Sequence, residues 1–117
     1  MPWQLLQCDD RVDRFLAEVG VAAETRIRRD LRNLASKGNE LRFPKTDSLG
    51  GGLFELRTIL GTNIYRNIFI FRGAIIIILE SFHKKSQKTP KLNMDNAKSR
   101  RKQIDVGRIT PAGFTAH

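Results

Sequence analysis

Two arginines in otherwise apolar segments are the residues whose positions most clearly suggest chemistry. Arg57 and Arg66 both lie in segments rich in β-branched, aromatic and other apolar residues. A long cation within a buried strand either extends its charged end to the sheet edge or binds an anion. Guanidinium groups bind phosphate through paired hydrogen bonds, so the two arginines could hold a phosphodiester. The alternative is a structural ion pair of Arg57 with Glu55 or Glu80.

Whether the two arginines share a face depends on the turn between their strands, because side chains alternate along a strand. A two-residue turn at Gly61 and Thr62 would pair Arg57 directly with Arg66. A three-residue turn that includes Asn63 would put the two arginines on opposite faces. Facing arginines repel each other unless an anion lies between them, so a shared face would favour a phosphate site. The residues alone leave both registers open.

A second group of candidate residues follows the last predicted strand. A two-residue turn at 72–73 predicts that Ser81 and His83 share the face of Arg66. The cations that could then converge on one catalytic site are Arg57, Arg66, His83, Lys84 and Lys85. A lysine among other cations has a lowered pKa, which suits proton transfer, whereas His83 is a lesser candidate that could be a solvated loop residue. Neither paired carboxylates nor metal-ligand spacing accompanies these residues, so we expect no metal and no cofactor.

The positive charge of the chain is concentrated towards its C-terminal end. There are 21 basic and 12 acidic residues, which give a formal net charge of +9. Residues 1–40 are balanced, with seven of each sign, whereas residues 83–102 carry eight basic side chains and one acidic. A segregated basic surface is typical of nucleic-acid binding, and the alternative is a solubilising tail. The candidate residues for contact with RNA or the ribosome are Lys88, Lys91, Lys98, Arg100, Arg101 and Lys102.

Composition narrows the class of protein. The 117 residues include 40% hydrophobic and 28% charged residues, which is typical of one globular domain. The single cysteine, Cys8, excludes a disulfide framework and a CxxC-type zinc site, and it suits a reducing compartment. The longest apolar run, 74–79, is six residues, which is too short to cross a membrane. Since no export signal is visible, the expected location is the cytoplasm.

The elements that must position the candidate residues follow from the spacing of apolar residues. Segment 3–8 is compatible with a short first strand. Apolar residues at helical spacing predict two helices, over 10–20 and 21–37. The segment 39–52 has a loop-like composition, and the segment 53–82 predicts three strands of an antiparallel meander.

A basic helix is predicted after the meander. Thr89 would be its N-cap, Pro90 its first residue, and Val106 its approximate end. The order of elements predicts one α+β domain over residues 1–106, with two N-terminal helices, an antiparallel β-meander and a C-terminal basic helix, the helices lying on one sheet face. Apolar residues on both faces of the last two strands indicate that this part of the sheet is covered from both sides. Residues 107–117 are predicted to form a flexible tail.

Four blocks of the sequence, taken together and in order, resemble one protein family. The blocks are Gly52–Arg57, Asn63–Arg66, Phe82–Pro90 and Ala97–Arg101. They are similar to the phage-derived HigB-like branch of the RelE toxin superfamily, and the likeness covers residues 12–106. Two departures are that Ser81 stands where the branch has glycine and that no tyrosine follows Pro90, where some members have a catalytic one.

The resemblance implies a RelE-like fold and the toxin of a type II toxin–antitoxin system. Such a toxin is a ribosome-dependent endoribonuclease that cuts messenger RNA and is neutralised by a helix-turn-helix (HigA-like) antitoxin. Arg57 and Arg66 match basic strand residues of the family's active site, and Lys84 and Lys85 match its basic segment. The match favours the register that pairs the two arginines.

The chemistry that suits these residues is attack of a ribose 2′-hydroxyl on the adjacent phosphate, without a metal. The expected partners are the antitoxin, the ribosome and messenger RNA, and no membrane is expected. Two alternatives are a non-catalytic RNA-binding module and a decayed toxin that only binds its antitoxin.

Overall fold

The computed structural model describes residues 3–42, 44–84 and 88–114. Its strands are Gln4–Gln7 (β1), Thr46–Gly50 (β2), Leu53–Leu60 (β3), Asn63–Arg72 (β4) and Ile75–His83 (β5). Its helices are Arg11–Glu18 (α1), Val21–Lys37 (α2) and Lys91–Asp105 (α3), and a short 3₁₀ turn, Gly38–Glu40, follows α2. None of the helices in these described ranges is long and apolar enough to cross a membrane.

The strands form one mixed sheet in the order β1-β5-β4-β3-β2. Strands β2 to β5 are an antiparallel meander, and β1 pairs in parallel with β5. The predicted α+β class, with two N-terminal helices, an antiparallel meander and a C-terminal basic helix, is therefore confirmed. The expectation of a loop over 39–52 is wrong for β2. This strand lies at the sheet edge, where a short polar segment can pair without showing an apolar period.

Helices cover both faces of the sheet. The core under α1 and α2 is formed by Val12, Leu16, Ala23, Ile27, Leu31, Leu34, Leu56, Tyr65, Phe69, Ile76 and Ile78. The core under α3 includes Leu53, Ile68, Ile70, Ile77, Leu79, Phe82 and Ala97. The expectation that all helices lie on one face is wrong, whereas the indication that the central strands are covered from both sides is confirmed. Successive apolar residues of β4 and β5 point to opposite faces, and each set needs its own cover.

The β3–β4 hairpin has the register that the resemblance favoured. Leu60 pairs with Asn63, so the turn has two residues, and Arg57 lies directly opposite Arg66. Gly61 has φ of +62°, a left-handed conformation that two-residue hairpin turns require and that glycine adopts without strain. The two arginines therefore project from the same face of the sheet.

The β4–β5 hairpin turns one residue later than predicted, at Gly73 and Ala74, because Arg72 pairs with Ile75. This shift by itself moves the pairing by two positions along β5. Since side chains alternate with a period of two, such a shift leaves every residue of β5 on its predicted face.

A β-bulge at Leu79 then reverses the faces at the end of β5. The pairing register skips Leu79, and beyond it Arg66 pairs with Phe82. The expectation that Ser81 and His83 share the face of Arg66 is therefore wrong. The hairpin turn alone would have preserved it, and the single extra residue in β5 is the physical reason for the difference.

Residues 107–114, where the sequence predicted a flexible tail, contact the edge and both faces of the sheet. The backbone of Ala112 exchanges two hydrogen bonds of 2.9 Å with Gln7 on the outer edge of β1. Ile109 and Phe114 pack against the cores on the two faces of the sheet. The segment thus covers the edge of β1, and residues 115–117 lie outside the described part of the chain.

Candidate active site

The two arginines lie at the centre of a charged cluster on the sheet face that α3 covers. We call this cluster the arginine site, and its members are Asp47, Glu55, Arg57, Arg66 and Thr89. Strands β3 and β4 bring together Glu55, Arg57 and Arg66, because Glu55 lies two residues before Arg57 and so on its face. The edge strand β2 contributes Asp47, and Thr89, which precedes Pro90, contributes a hydroxyl.

The anion between the two arginines is a carboxylate of the chain itself. Glu55 Oε1 lies 3.1 Å from Arg66 Nη1 and 3.8 Å from Arg57 Nε. The side chains of Glu55 and Arg66 are both 0% exposed. The ion pair of Arg57 with Glu55, which the residues allowed as an alternative, is therefore present, together with a second and shorter one to Arg66.

Arg57 differs from Arg66 in its exposure and in its second partner. The Arg57 side chain is 18% exposed, and its Nη2 lies 3.3 Å from a carboxylate oxygen of Asp47, which is 42% exposed. An ion pair that solvent reaches is weak and exchanges its partners easily. Arg57 is thus the member of the pair that an external anion can reach.

Thr89 completes the coordination of the buried carboxylate. Its hydroxyl donates a 2.8 Å hydrogen bond to Glu55 Oε2. The Thr89 hydroxyl oxygen in turn accepts a 3.4 Å hydrogen bond from Arg66 Nη1. Both oxygens of Glu55 therefore have a donor or a cation within reach.

His83 lies on the opposite face of the sheet from the arginine site. Its Nε2 is 2.9 Å from Asn63 Oδ1, and its ring stacks on Tyr65 with a centroid distance of 4.6 Å. Tyr65 in turn makes an edge contact with Phe15 in the core under α1 and α2. The expected convergence of His83 with the two arginines is therefore wrong.

The two lysines expected at the site follow β5. Lys84 is exposed, and its backbone nitrogen donates a 3.2 Å hydrogen bond to the carbonyl of Ile64, next to the start of β4. Lys85 lies outside the described residues. The role of Lys84 and Lys85 in proton transfer stays a prediction.

A family model described as phage derived protein Gp49-like (DUF891) matches residues 14–102. The chain belongs to this family. The Gp49-like family is toxin-like and related to RelE and HigB. No curated protein matches the chain at a significant level. The matched range includes every member of the arginine site.

The basic residues of the Gp49-like chain on α3 and in the segment just before it fall into two classes. Lys88, Lys98 and Lys102 are exposed, as is Lys91, whose Nζ bonds the Asp95 carboxylate at 2.7 Å. This bond raises the pKa of Lys91 and lowers that of Asp95.

Arg100 and Arg101 make contacts within the protein. Arg100 is buried, with its Nη1 2.6 Å from Glu80 Oε1 and 2.9 Å from the Leu79 carbonyl. The expectation that Arg100 contacts RNA is therefore wrong, because the fold uses its charge internally. Arg101 donates a 2.5 Å hydrogen bond to the Gly51 carbonyl beside β3.

Three members of the arginine site were not predicted from the sequence as functional residues. Glu55 entered only as an ion-pair partner, Asp47 lay in an expected loop, and Thr89 was assigned to helix capping. The spacing of Glu55 and Arg57, two residues apart in one strand, is a signal that could have placed the carboxylate on the arginine face. The hydrogen bond of Thr89 to a residue 34 positions earlier has no local signal.

Two further observations concern titratable groups outside the arginine site. In the described ranges no three His, Cys, Asp or Glu side chains come together as metal ligands. Cys8 is buried in the core under α3, and burial raises the pKa of its thiol from 9.0 to about 11. A thiol with so high a pKa stays protonated at neutral pH and is a poor nucleophile.

Proposed function

We propose that this chain is the toxin of a type II toxin–antitoxin system and that it cleaves messenger RNA on the ribosome. The observation that carries the proposal is the direct cross-strand pair of Arg57 and Arg66 on one sheet face, with only Arg57 open to an external anion. Membership of a toxin-like family related to RelE and HigB supports it.

The two arginines take different roles. Arg57 exchanges Asp47 for the phosphate of the RNA and stabilises the charge that develops on the phosphorane. Arg66 stays paired with Glu55 and does not contact the substrate. It contributes by fixing the position of Arg57 and by adding positive charge near the phosphate. Since Arg66 and Glu55 are both fully buried, their pair keeps Arg57 extended towards the surface.

The reaction is an internal transfer within the RNA. The ribose 2′-hydroxyl loses its proton to a base, its oxygen forms a bond to the adjacent phosphorus, and the bond from phosphorus to the 5′-oxygen breaks. That oxygen takes a proton from an acid, which leaves a 2′,3′-cyclic phosphate and a 5′-hydroxyl. Lys84 and Lys85 are the candidates for the base and the acid.

The exposed cations of α3, together with Lys88 in the segment before the helix, hold the rest of the nucleic acid. Lys88, Lys98 and Lys102 lie on the surface, where each can neutralise one phosphate of messenger or ribosomal RNA. The partner that neutralises the toxin is a helix-turn-helix antitoxin. An arrested ribosome that presents the messenger would supply the remaining orientation of the substrate.

The test compares two arginine substitutions on opposite faces of the protein. Arg57→Ala removes the proposed phosphate contact, and Arg14→Ala removes an equal charge from α1, where Arg14 forms an exposed ion pair with Asp10. With translating ribosomes, Arg57→Ala should lower the cleavage rate of messenger RNA on the order of 100-fold or more, as loss of one oxyanion donor does. Arg14→Ala should cleave like the wild type.

The outcomes separate the proposal from its alternatives. Cleavage that persists at the wild-type rate in Arg57→Ala removes the basis of the assignment. A wild type that binds RNA in a salt-dependent manner but never cleaves it is a non-catalytic module. A wild type that neither cleaves nor arrests growth, yet binds a small helical partner tightly, is a decayed toxin.

A further inference from the structure

The Thr89 hydroxyl turns inward, although the sequence Thr-Pro before a helix predicts that it caps the helix. The N-cap of α3 is Pro90, and no side chain caps the helix there. The hydroxyl instead donates to Glu55 Oε2 at 2.8 Å, across to strand β3. This contact joins the residue that immediately precedes Pro90 to the buried centre of the arginine site.

Glu55 needs this donor because its carboxylate is fully buried. A buried carboxylate is stable only when its oxygens are paired or hydrogen-bonded. Oε1 faces Arg66 at 3.1 Å and Arg57 at 3.8 Å, whereas Oε2 receives the hydrogen bond of Thr89. Without the hydroxyl, the carboxylate would rotate towards another donor, and the arginines paired with it would move as well.

The same contact fixes the start of α3 relative to Arg57. Lys88 precedes Thr89 directly, and Lys91 opens the helix two residues later, with both lysines exposed. The hydroxyl of Thr89 therefore connects two parts of the site. One part is the two arginines on the sheet, and the other is the lysines at the start of α3. A phosphodiester that contacts both parts requires them at a fixed separation.

We propose that Thr89 is a positioning residue of the arginine site. Its hydroxyl holds the Glu55 carboxylate, and thereby sets the direction of Arg57 and the distance of the α3 lysines from it. The inference deepens the proposed nuclease function and rests on it for the activity measurement. The effect of Thr89 on the positions of Glu55 and Arg57 can be measured without any RNA.

The experiment compares three substitutions in the full chain. Thr89→Val keeps the shape of the side chain and removes the hydroxyl, and Thr89→Ser keeps the hydroxyl and removes the methyl group. Thr25→Val is the matched control, since the Thr25 hydroxyl only bonds the Val21 carbonyl within α2. Two quantities are measured: ribosome-dependent cleavage of messenger RNA, and the NMR resonances of the Nε–H groups of Arg57 and Arg66.

We expect Thr89→Val to reduce kcat on the order of 10- to 100-fold, because misplacement by about 1 Å can cost this much. KM should change less than kcat, since the surface lysines still bind the RNA. The Nε–H resonances of both arginines should shift in Thr89→Val. Thr89→Ser should restore both measurements to near the wild-type values, and Thr25→Val should leave both unchanged.

Several results would overturn the inference. One is an unchanged kcat in Thr89→Val, and another is an equal loss in Thr89→Ser, which would assign the effect to the methyl group. If Thr89→Val does not fold, Thr89→Ala replaces it. Failure of both to fold would make Thr89 a structural residue and reject its positioning role.

The failure of the proposed function is distinguishable from these results. If the wild type cleaves no RNA with ribosomes present, the nuclease assignment fails and the arginine resonances alone decide the inference. A shift of the arginine resonances in Thr89→Val that is absent in Thr89→Ser would then show that the Thr89 hydroxyl positions Glu55 and Arg57. Unchanged resonances would reject it.

Discussion

Glu55 and Glu80 lie in one row across the sheet, on either side of Ile68, yet the two carboxylates differ in the arginines that they bind. Ile68 pairs with Glu55 on β3 and with Glu80 on β5, and all three lie under α3. Glu80 has one arginine: Oε1 binds Arg100, and Oε2 accepts hydrogen bonds of 3.1 Å from Asn93 and Asn96. Its charge is matched inside the protein.

Glu55, in contrast, faces two arginines with one carboxylate. The second arginine, Arg57, reaches the surface, where Asp47 is its exposed partner. Structural and functional cations in a basic protein therefore differ in how many carboxylates match their charge. A buried arginine whose charge is matched by one carboxylate holds elements together, whereas an arginine that reaches the surface and shares a buried carboxylate with a second arginine can bind a phosphate.

The largest effect that would test this comparison is on stability. Arg100→Ala leaves the Glu80 carboxylate buried without its cation, and we expect the free energy of unfolding to fall by about 3–5 kcal/mol. Urea denaturation measures the change. The control is Lys98→Ala, an exposed residue on the same helix, which should stay within about 0.5 kcal/mol of the wild type. A loss below about 1 kcal/mol in Arg100→Ala would contradict the structural role of the Glu80 pair.

A second prediction concerns the exposed counter-ion of Arg57. Asp47→Asn removes the carboxylate that an RNA phosphate must replace, so binding of a 2′-O-methyl RNA, which cannot be cleaved, should tighten. An exposed pair contributes about 0.2–1 kcal/mol, which corresponds to at most about fivefold in the dissociation constant. The matched control is Asp105→Asn, which breaks the similar exposed pair of Asp105 and Arg72 at 3.2 Å. Weaker binding in Asp47→Asn alone would contradict Arg57 as the phosphate ligand.

A third and smaller effect distinguishes the α3 lysines from the arginine site. Lys98→Ala should reduce the slope of log binding constant against log salt concentration by about 0.7, the value for one phosphate contact on a single strand. Its effect on kcat should be small, because the lysine binds RNA away from the reacting bond. Arg32→Ala, at an exposed position of α2 across the sheet, should leave the slope unchanged. Equal changes in both variants would mean that the RNA has no preferred face.

A separate effect on stability is expected at alkaline pH, in the core beside Glu80. The Cys8 Sγ lies 3.5 Å from the Leu79 carbonyl, the same oxygen that Arg100 binds, and burial raises the thiol pKa from 9.0 to about 11. Between these two values the unfolded chain loses the thiol proton and the folded chain keeps it. The unfolded state then binds fewer protons, so stability falls as pH rises through this range. Denaturation at pH 8 to 11 should show a flatter decline in Cys8→Ala, and an identical decline would contradict the assignment.

The sequence predicted much of the fold because the signals for it are local. The bounds of α2, Val21–Lys37, agree with the predicted helix over 21–37, since apolar spacing and a terminal glycine define both ends. The residues around Gly61 allowed a two- or a three-residue turn, and the family resemblance favoured the two-residue turn that the structure has. Polar edge strands carry no comparable signal, which is why β2 was expected to be a loop.

The candidate site could be predicted only in part. The two arginines were identified from their residue type and strand context, and the structure places them together. His83 was assigned to the wrong face, because a β-bulge at Leu79 depends on the packing of both faces and leaves no mark in the alternation of an all-apolar segment. Arg100 was expected at the surface, because a basic helix does not reveal which of its cations meets a buried carboxylate.

By itself, the sequence determined the order of the elements and the basic C-terminal helix, because turn chemistry and side-chain periodicity act over a few residues. The residues left open whether Arg57 and Arg66 share a face, and the hairpin register of the structure decided it. Only the tertiary structure decided that α3 covers the face opposite α1 and α2, and that the partners of the arginines are Glu55 and Thr89. These contacts join residues distant in the chain, and they are set by which apolar surfaces must be buried and which buried charges must be neutralised. No local pattern encodes that choice.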